Sequence, residues 1–161
     1  MKAFGVAAGL ALTLALPVMG TGQAAGATAY PGTVVDVIDG DSITVDVDGV
    51  GVREIRLIGV DVPTGCGDSA EQYVESQLEQ GDEVRLRIDK KNDESADRLF
   101  AYVYEGGTFI NLELIRQGSA RVRTYGTFGV DQQYESRFLD AQQDARESDR
   151  GLWDDGEFVC N

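Results

Sequence analysis

Three aspartates and two arginines sit where the chain enters or leaves apolar runs. Asp39 and Asp41 flank the glycine of Val37-Ile38-Asp39-Gly40-Asp41-Ser42. Arg56 opens and Asp61 closes Arg56-Leu57-Ile58-Gly59-Val60-Asp61-Val62-Pro63, and Pro63 lacks the backbone donor that a strand needs to continue. Arg98 begins Arg98-Leu99-Phe100-Ala101-Tyr102-Val103-Tyr104. Opposite charges at the two ends of an apolar strand are costly unless something uses them. Carboxylate oxygens select a hard cation such as Ca²⁺ or Mg²⁺. Guanidinium forks match phosphate oxygens. A cation with two arginines is a clamp for a phosphodiester in its pentacovalent transition state. A plainer reading stays open beside it. Asp-Gly commonly makes a turn with solvated acids, and Arg98 can pair at the surface with Asp93, Glu94 or Asp97.

The chain contains no histidine. That excludes Ser-His triads, His-ligated zinc and every histidine-based phosphodiesterase. Neither cysteine stands beside a base that could activate it. Cys66 and Cys160 are an even pair and suggest a disulfide if the protein is exported, which would tie the C-terminal tail to the loop after Pro63. Free thiols are the alternative.

The start of the chain bears on that point. Met1-Lys2 is followed by the uncharged apolar stretch 3–18 and then by small residues, with Ala25-Gly26-Ala27 and Ala27-Thr28-Ala29 as cleavage sites. Residues 1–29 read as a secretory signal peptide. The expected product is extracellular, with no stable membrane association once the leader is cut. Uncut, the segment is an N-terminal anchor, although its apolar run is short for a span. Residues 30–161 then form a single domain with one core. The 14 basic and 28 acidic residues give a net charge of −14. So acidic a surface usually repels nucleic acid. With lysine confined to Lys2, Lys90 and Lys91, it is similar to the surfaces of halophilic proteins. At molar salt the Debye length is about 3 Å, and net charge then matters little beyond contact.

Short strands must position these groups. Thr33–Val37, Ile43–Val47 and Val52–Val60 read as a meander with turns at Ile38-Asp39-Gly40-Asp41 and Asp48-Gly49-Val50-Gly51. The third strand is expected to deliver both Arg56 and Asp61. Asp68-Ser69-Ala70-Glu71 has capping-box spacing, and a helix burying Ala70, Tyr73, Val74 and Leu78 follows. Val84–Ile88 and Leu99–Tyr104 are further strands, separated by the charged loop 90–97. Asn111 can cap a short helix over Leu112–Gln117, and Tyr134, Phe138, Ala141 and Ala145 mark one face of a last helix over Asp131–Ser148. Trp153 is expected on the core. Five strands with about three helices predict a mainly β, α+β fold of the five-stranded OB-barrel type.

The motifs quoted above, with Asn111-Leu112-Glu113-Leu114-Ile115-Arg116-Gln117-Gly118 and Gly151-Leu152-Trp153, resemble the staphylococcal (thermonuclease-like) nuclease family in order and spacing. The resemblance runs from Pro31 to Trp153. It implies an OB-fold barrel and Ca²⁺-dependent hydrolysis of DNA and RNA by a monomer. By position it implies Asp41, Asp61 and the carbonyl of Val62 as Ca²⁺ ligands, with Asp39 just behind them. Arg56 and Arg98 would bind the phosphate, and Arg98 could assist the leaving oxygen.

Two departures stand out. The family places a glutamate directly after the Asp-x-Pro proline to orient or deprotonate the attacking water, and here that position is Thr64. A hydroxyl without an adjacent base cannot take that proton near pH 7. Asp68 and Glu71 are the nearest substitutes in sequence. The stretch before Arg98 also reads Asp-Glu-Ser-Ala-Asp, where the family has an aspartate, an aromatic residue and a glycine. Two functions follow: a secreted nuclease weakened at Thr64, or an inert OB module that binds nucleic acid or a protein partner.

Overall fold

The computed structural model describes residues 29–88, 97–124, 126 and 129–160. The expected signal peptide, apart from Ala29, lies outside the described residues, as does most of the charged loop before Arg98.

Strand β1 (Ala29–Asp39) pairs along its second half with β2 (Ser42–Val47) and along its first with β5 (Glu83–Ile88). Strand β3 (Gly51–Leu57) lies antiparallel to β2, and β6 (Arg98–Glu105) lies antiparallel to β5. A parallel ladder between β3 and β6 closes the circuit. The result is a closed five-stranded barrel of the OB type, decorated by three helices among the described residues. Period-2 alternation fills it. Ile43, Val45 and Val47, then Val84, Leu86 and Ile88, then Leu99, Ala101 and Val103 all point inward and are buried. Each large aliphatic side chain taken from water contributes roughly 1.5–3 kcal/mol.

The third strand departs from its expected course. It ends at Leu57, and the chain bends through Ile58-Gly59 before the two-residue strand β4 (Val60–Asp61). Gly59 adopts φ +77°, and a Cβ there would come within 3.0 Å of Val130 and 3.1 Å of Phe138. Only glycine takes that backbone turn under that packing without strain. Asn111 fastens the bend. Its amide donates to the Ile58 and Ala101 carbonyls at 3.0 and 3.1 Å, and its Oδ1 accepts from the Val103 N–H at 2.9 Å. Asn111 is therefore not a helix cap. It is a fully buried residue inside α2 (Ile110–Arg116), which follows the two-residue strand β7 (Thr108–Phe109).

Helix α1 (Gly67–Gln77) buries Ala70 and Val74, with Leu78 at its end. The capping box is not used. Cys66 is the N-cap, with no side-chain cap bond, and its N–H donates instead to the Pro63 carbonyl at 3.0 Å. That turn and the disulfide from Cys66 to Cys160 set the entry to the helix, so Asp68 has no capping role to play.

Strand β8 (Arg121–Val122) pairs with β4, Arg121 opposite Asp61. Helix α3 (Gln132–Glu147) then packs Phe138, Ala141 and Ala145 inward. An edge-to-face aromatic cluster of Tyr102, Phe109, Tyr134 and Phe138 joins it to the barrel. The Tyr102 hydroxyl accepts from the Asp131 N–H at the start of α3, 2.7 Å away. A hairpin of β9 (Trp153–Asp154) and β10 (Glu157–Phe158) ends the fold, and Trp153 is buried edge-on against Phe158.

Candidate active site

The β1–β2 turn builds the first half of the site. Asp39 and Ser42 are register partners, so the chain reverses over Gly40-Asp41. The Asp41 N–H donates to Asp39 Oδ1 at 2.9 Å, the local bond that favours aspartate in turns. Gly40 packs so closely on α1 that a Cβ would overlap that of Ala70. The turn is thus clamped onto the helix. The β2–β3 register places Arg56 opposite Ser42 and so beside Asp41. Arg56 Nη1 pairs with Asp41 Oδ1 and donates to Ser42 Oγ at 3.1 Å, while Ser42 Oγ donates to Asp41 Oδ1 at 3.3 Å.

These groups open into a cleft of about 220 Å³ whose walls include Asp39, Asp41, Arg56, Val62 and Thr64. Asp41 is only 3 % exposed. Burial pushes its carboxyl up, the hydrogen bond with Asp39 adds to that, and the Arg56 charge only partly offsets it, leaving Asp41 at about 7. Burial also raises Asp39, but hydrogen bonds from Asp41 and Ser42 with the Arg56 charge outweigh it, and Asp39 ends below its ordinary value. Two carboxyl groups therefore share this corner and together retain a proton close to neutrality. A site with more negative charge than its surroundings can solvate, built from hard oxygen donors, fits a hard divalent cation. Asp39, Asp41 and Val62 are the residues that could hold one.

Asp61 and Arg98 lie outside the walls of this cleft. After the Gly59 bend the Asp61 carboxylate meets Arg121 Nη2 at 2.8 Å. Among the described residues no three carboxylate, cysteine or histidine side chains gather into a metal cluster. Arg98 begins β6 opposite Glu54, and its Nε donates to Glu54 Oε1 at 2.7 Å, with the side chain 57 % exposed. Among the described residues its partner is Glu54; Asp93 and Glu94 lie outside the described residues. Asp68 and Glu71 stand on α1, and neither lines the cleft. Thr64 is exposed at its rim.

Sequence reasoning missed Ser42, Glu54, Asn111 and Arg121. Ser42 follows the Asp-Gly-Asp turn directly and was within reach of a local argument. Glu54 and Arg121 acquire their partners only through strand register. A buried carboxyl (Asp41) beside a half-buried one (Asp39), an arginine fork and a polar cleft together can hold a cation and a phosphate and stabilise charge on the phosphate.

Comparison with known proteins agrees with this chemistry. The family described as "Staphylococcal nuclease homologue" matches residues 54–155. The thermonuclease of Staphylococcus hyicus is 33 % identical over 129 residues, covering 74 % of this chain and 73 % of that protein. The thermonuclease of Staphylococcus intermedius is 32 % identical over 127 residues, covering 73 % of each. Endonuclease YhcR of Bacillus subtilis is 28 % identical over 144 residues, which span 80 % of this chain but 12 % of that longer protein. The chain belongs to the staphylococcal nuclease family.

Proposed function

We propose that this protein is a secreted, Ca²⁺-dependent nuclease that hydrolyses phosphodiester bonds of DNA and RNA, slowed by threonine at position 64. The observation that carries the reading is the pairing of buried Asp41 with half-buried Arg56 beside Asp39 in a polar cleft of a nuclease-family barrel. Asp41, Asp39 and the Val62 carbonyl would hold the cation, with Asp61 joining them as the family resemblance implies. Ca²⁺ bound there supplies a positive charge to the phosphate oxygens and lowers the pKa of water. Arg56 binds the same phosphate and stabilises the charge that builds on it. Arg98, whose Nε donates to Glu54, would supply a second guanidinium to the leaving oxygen, as the family resemblance implies. Thr64 lies where the family's base lies and cannot accept the water's proton.

The disulfide supports an exporting route, since such bonds persist in oxidising compartments. The leader at residues 1–29 supports the same. No helix among the described residues is long and apolar enough to cross a membrane. We take the protein to act as a monomer. One observation favours the inert binding module: both site arginines are paired with the protein's own carboxylates.

The test is digestion of denatured DNA and of RNA at high salt, with Ca²⁺ and with a chelator. Ca²⁺-dependent cleavage is expected. A folded protein that cleaves neither substrate would remove the enzymatic reading and leave the binding module.

A further inference from the structure

Asp61 and Arg121 are joined by the fold itself. They face each other in the antiparallel β4–β8 ladder, so their 2.8 Å contact follows from backbone register and not from a chance meeting of long side chains. Arg121 is also backed on its other side. Its guanidinium lies over the Phe158 ring, 5.5 Å from the centroid. Phe158 stands two residues before Cys160, whose disulfide to Cys66 fixes the tail beside the loop that follows Asp61 and Pro63. One strand contact and one covalently tethered aromatic ring therefore keep a positive charge against Asp61. The β8–α3 connection reinforces it, because the Val122 N–H donates to Gln142 Oε1 at 2.7 Å.

We infer that Arg121 is an internal counter-cation for Asp61 that competes with the metal ion, so that it sets the cation affinity of the site. The inference rests on the Ca²⁺ reading above and deepens it. Asp61 Oδ2 is engaged by the guanidinium, and Asp61 is not among the residues that line the cleft of Asp39 and Asp41. An ion that recruits Asp61 must either displace Arg121 or sit close to it. At about 5 Å, repulsion between a divalent ion and a guanidinium is worth on the order of tenfold in affinity even at the dielectric constant of water. The tail helps to set the strength of that competition, because it restricts where the guanidinium can move.

The test is calorimetric titration of the whole folded domain with CaCl₂ at low ionic strength, for the wild type and for Arg121→Gln. Removing the charge should tighten Ca²⁺ binding about tenfold while lowering the melting temperature in chelator, since the ion pair is lost. In an Asp61→Asn background the same substitution should no longer tighten binding. Phe158→Ala should give part of the gain, and an unchanged affinity there would remove the tail from the proposal. Unchanged or weaker Ca²⁺ binding by a folded Arg121→Gln protein would overturn the proposal and leave the Ca²⁺ reading standing. No Ca²⁺ binding by either folded protein would overturn both.

Discussion

Two aspartate–arginine pairs lie on either side of the β3–β4 bend, and they differ in what surrounds them. Asp41 and Arg56 meet across β2 and β3 inside a cleft, and the Asp41 side chain is 5 % exposed. Asp61 and Arg121 meet across β4 and β8 with side chains 26 % and 43 % exposed. A pair exposed to that degree contributes about 0–1 kcal/mol, because water solvates both partners well when they part. A buried carboxylate has no such outlet. It must be paired, protonated or bound to a cation. Asp41 is partly paired and still retains a proton at about pH 7, so its corner is the one that gains from an added cation. Burial, not residue type, separates the pair proposed to be reactive from the pair proposed to regulate it.

The largest test of that contrast is kinetic. Arg56→Ala should lower Ca²⁺-dependent cleavage about 10²–10³-fold, the usual loss when one donor to a developing anion is removed. Arg121→Ala should change it far less. Equal losses in steady-state assays of the two variants would erase the distinction between the corners.

Next in size is the bend that lies between the two pairs. Asn111→Ala would remove three hydrogen bonds and leave the Val103 N–H and two carbonyls without that partner. A destabilisation of about 3 kcal/mol is expected in urea denaturation. A loss below about 1 kcal/mol would mean that Gly59 alone holds the bend.

A further effect comes from Asp41 itself. Its folded-state pKa of about 7 lies above the ordinary 3.8, so between these values the folded protein holds a proton that the unfolded chain has released. This contribution favours the folded state at low pH and is lost as pH rises towards about 7. For Asp41 alone its size is on the order of 4 kcal/mol, and the opposite shift of Asp39 works against it. Urea melts in chelator from pH 4 to 8 should show the fall for the wild type and not for Asp41→Asn. A wild-type contribution that grows over that interval relative to Asp41→Asn would contradict the buried, crowded carboxyl.

Much of this was legible in the chain. Alternation marked the barrel strands, the spacing of Phe138, Ala141 and Ala145 marked α3, and the cysteine pair marked the tail's tether. Asp39, Asp41 and Arg56 were legible because a tight turn and adjacent strands bring them together. Asp61 was expected at the end of the third strand because Leu57 to Val60 reads as one uninterrupted strand, whereas that strand ends at Leu57. The bend at Gly59 depends on Val130 and Phe138, which arrive from far along the chain. The partners of Asp61 and Arg98 also come from distant strands, where register rather than local pattern decides. Asn111 resembled a cap because polar residues usually begin helices, whereas its bonds serve the barrel.

The central claim is that this cleft contains a nuclease site short of one carboxylate. Its most direct test is to restore that group and measure Ca²⁺-dependent hydrolysis of denatured DNA by the wild type and Thr64→Glu side by side. A general base contributes about 10²–10⁴-fold. The account predicts slow cleavage by the wild type and a gain of at least about 10²-fold in the variant. A folded, Ca²⁺-binding Thr64→Glu protein that cleaves no faster would contradict it.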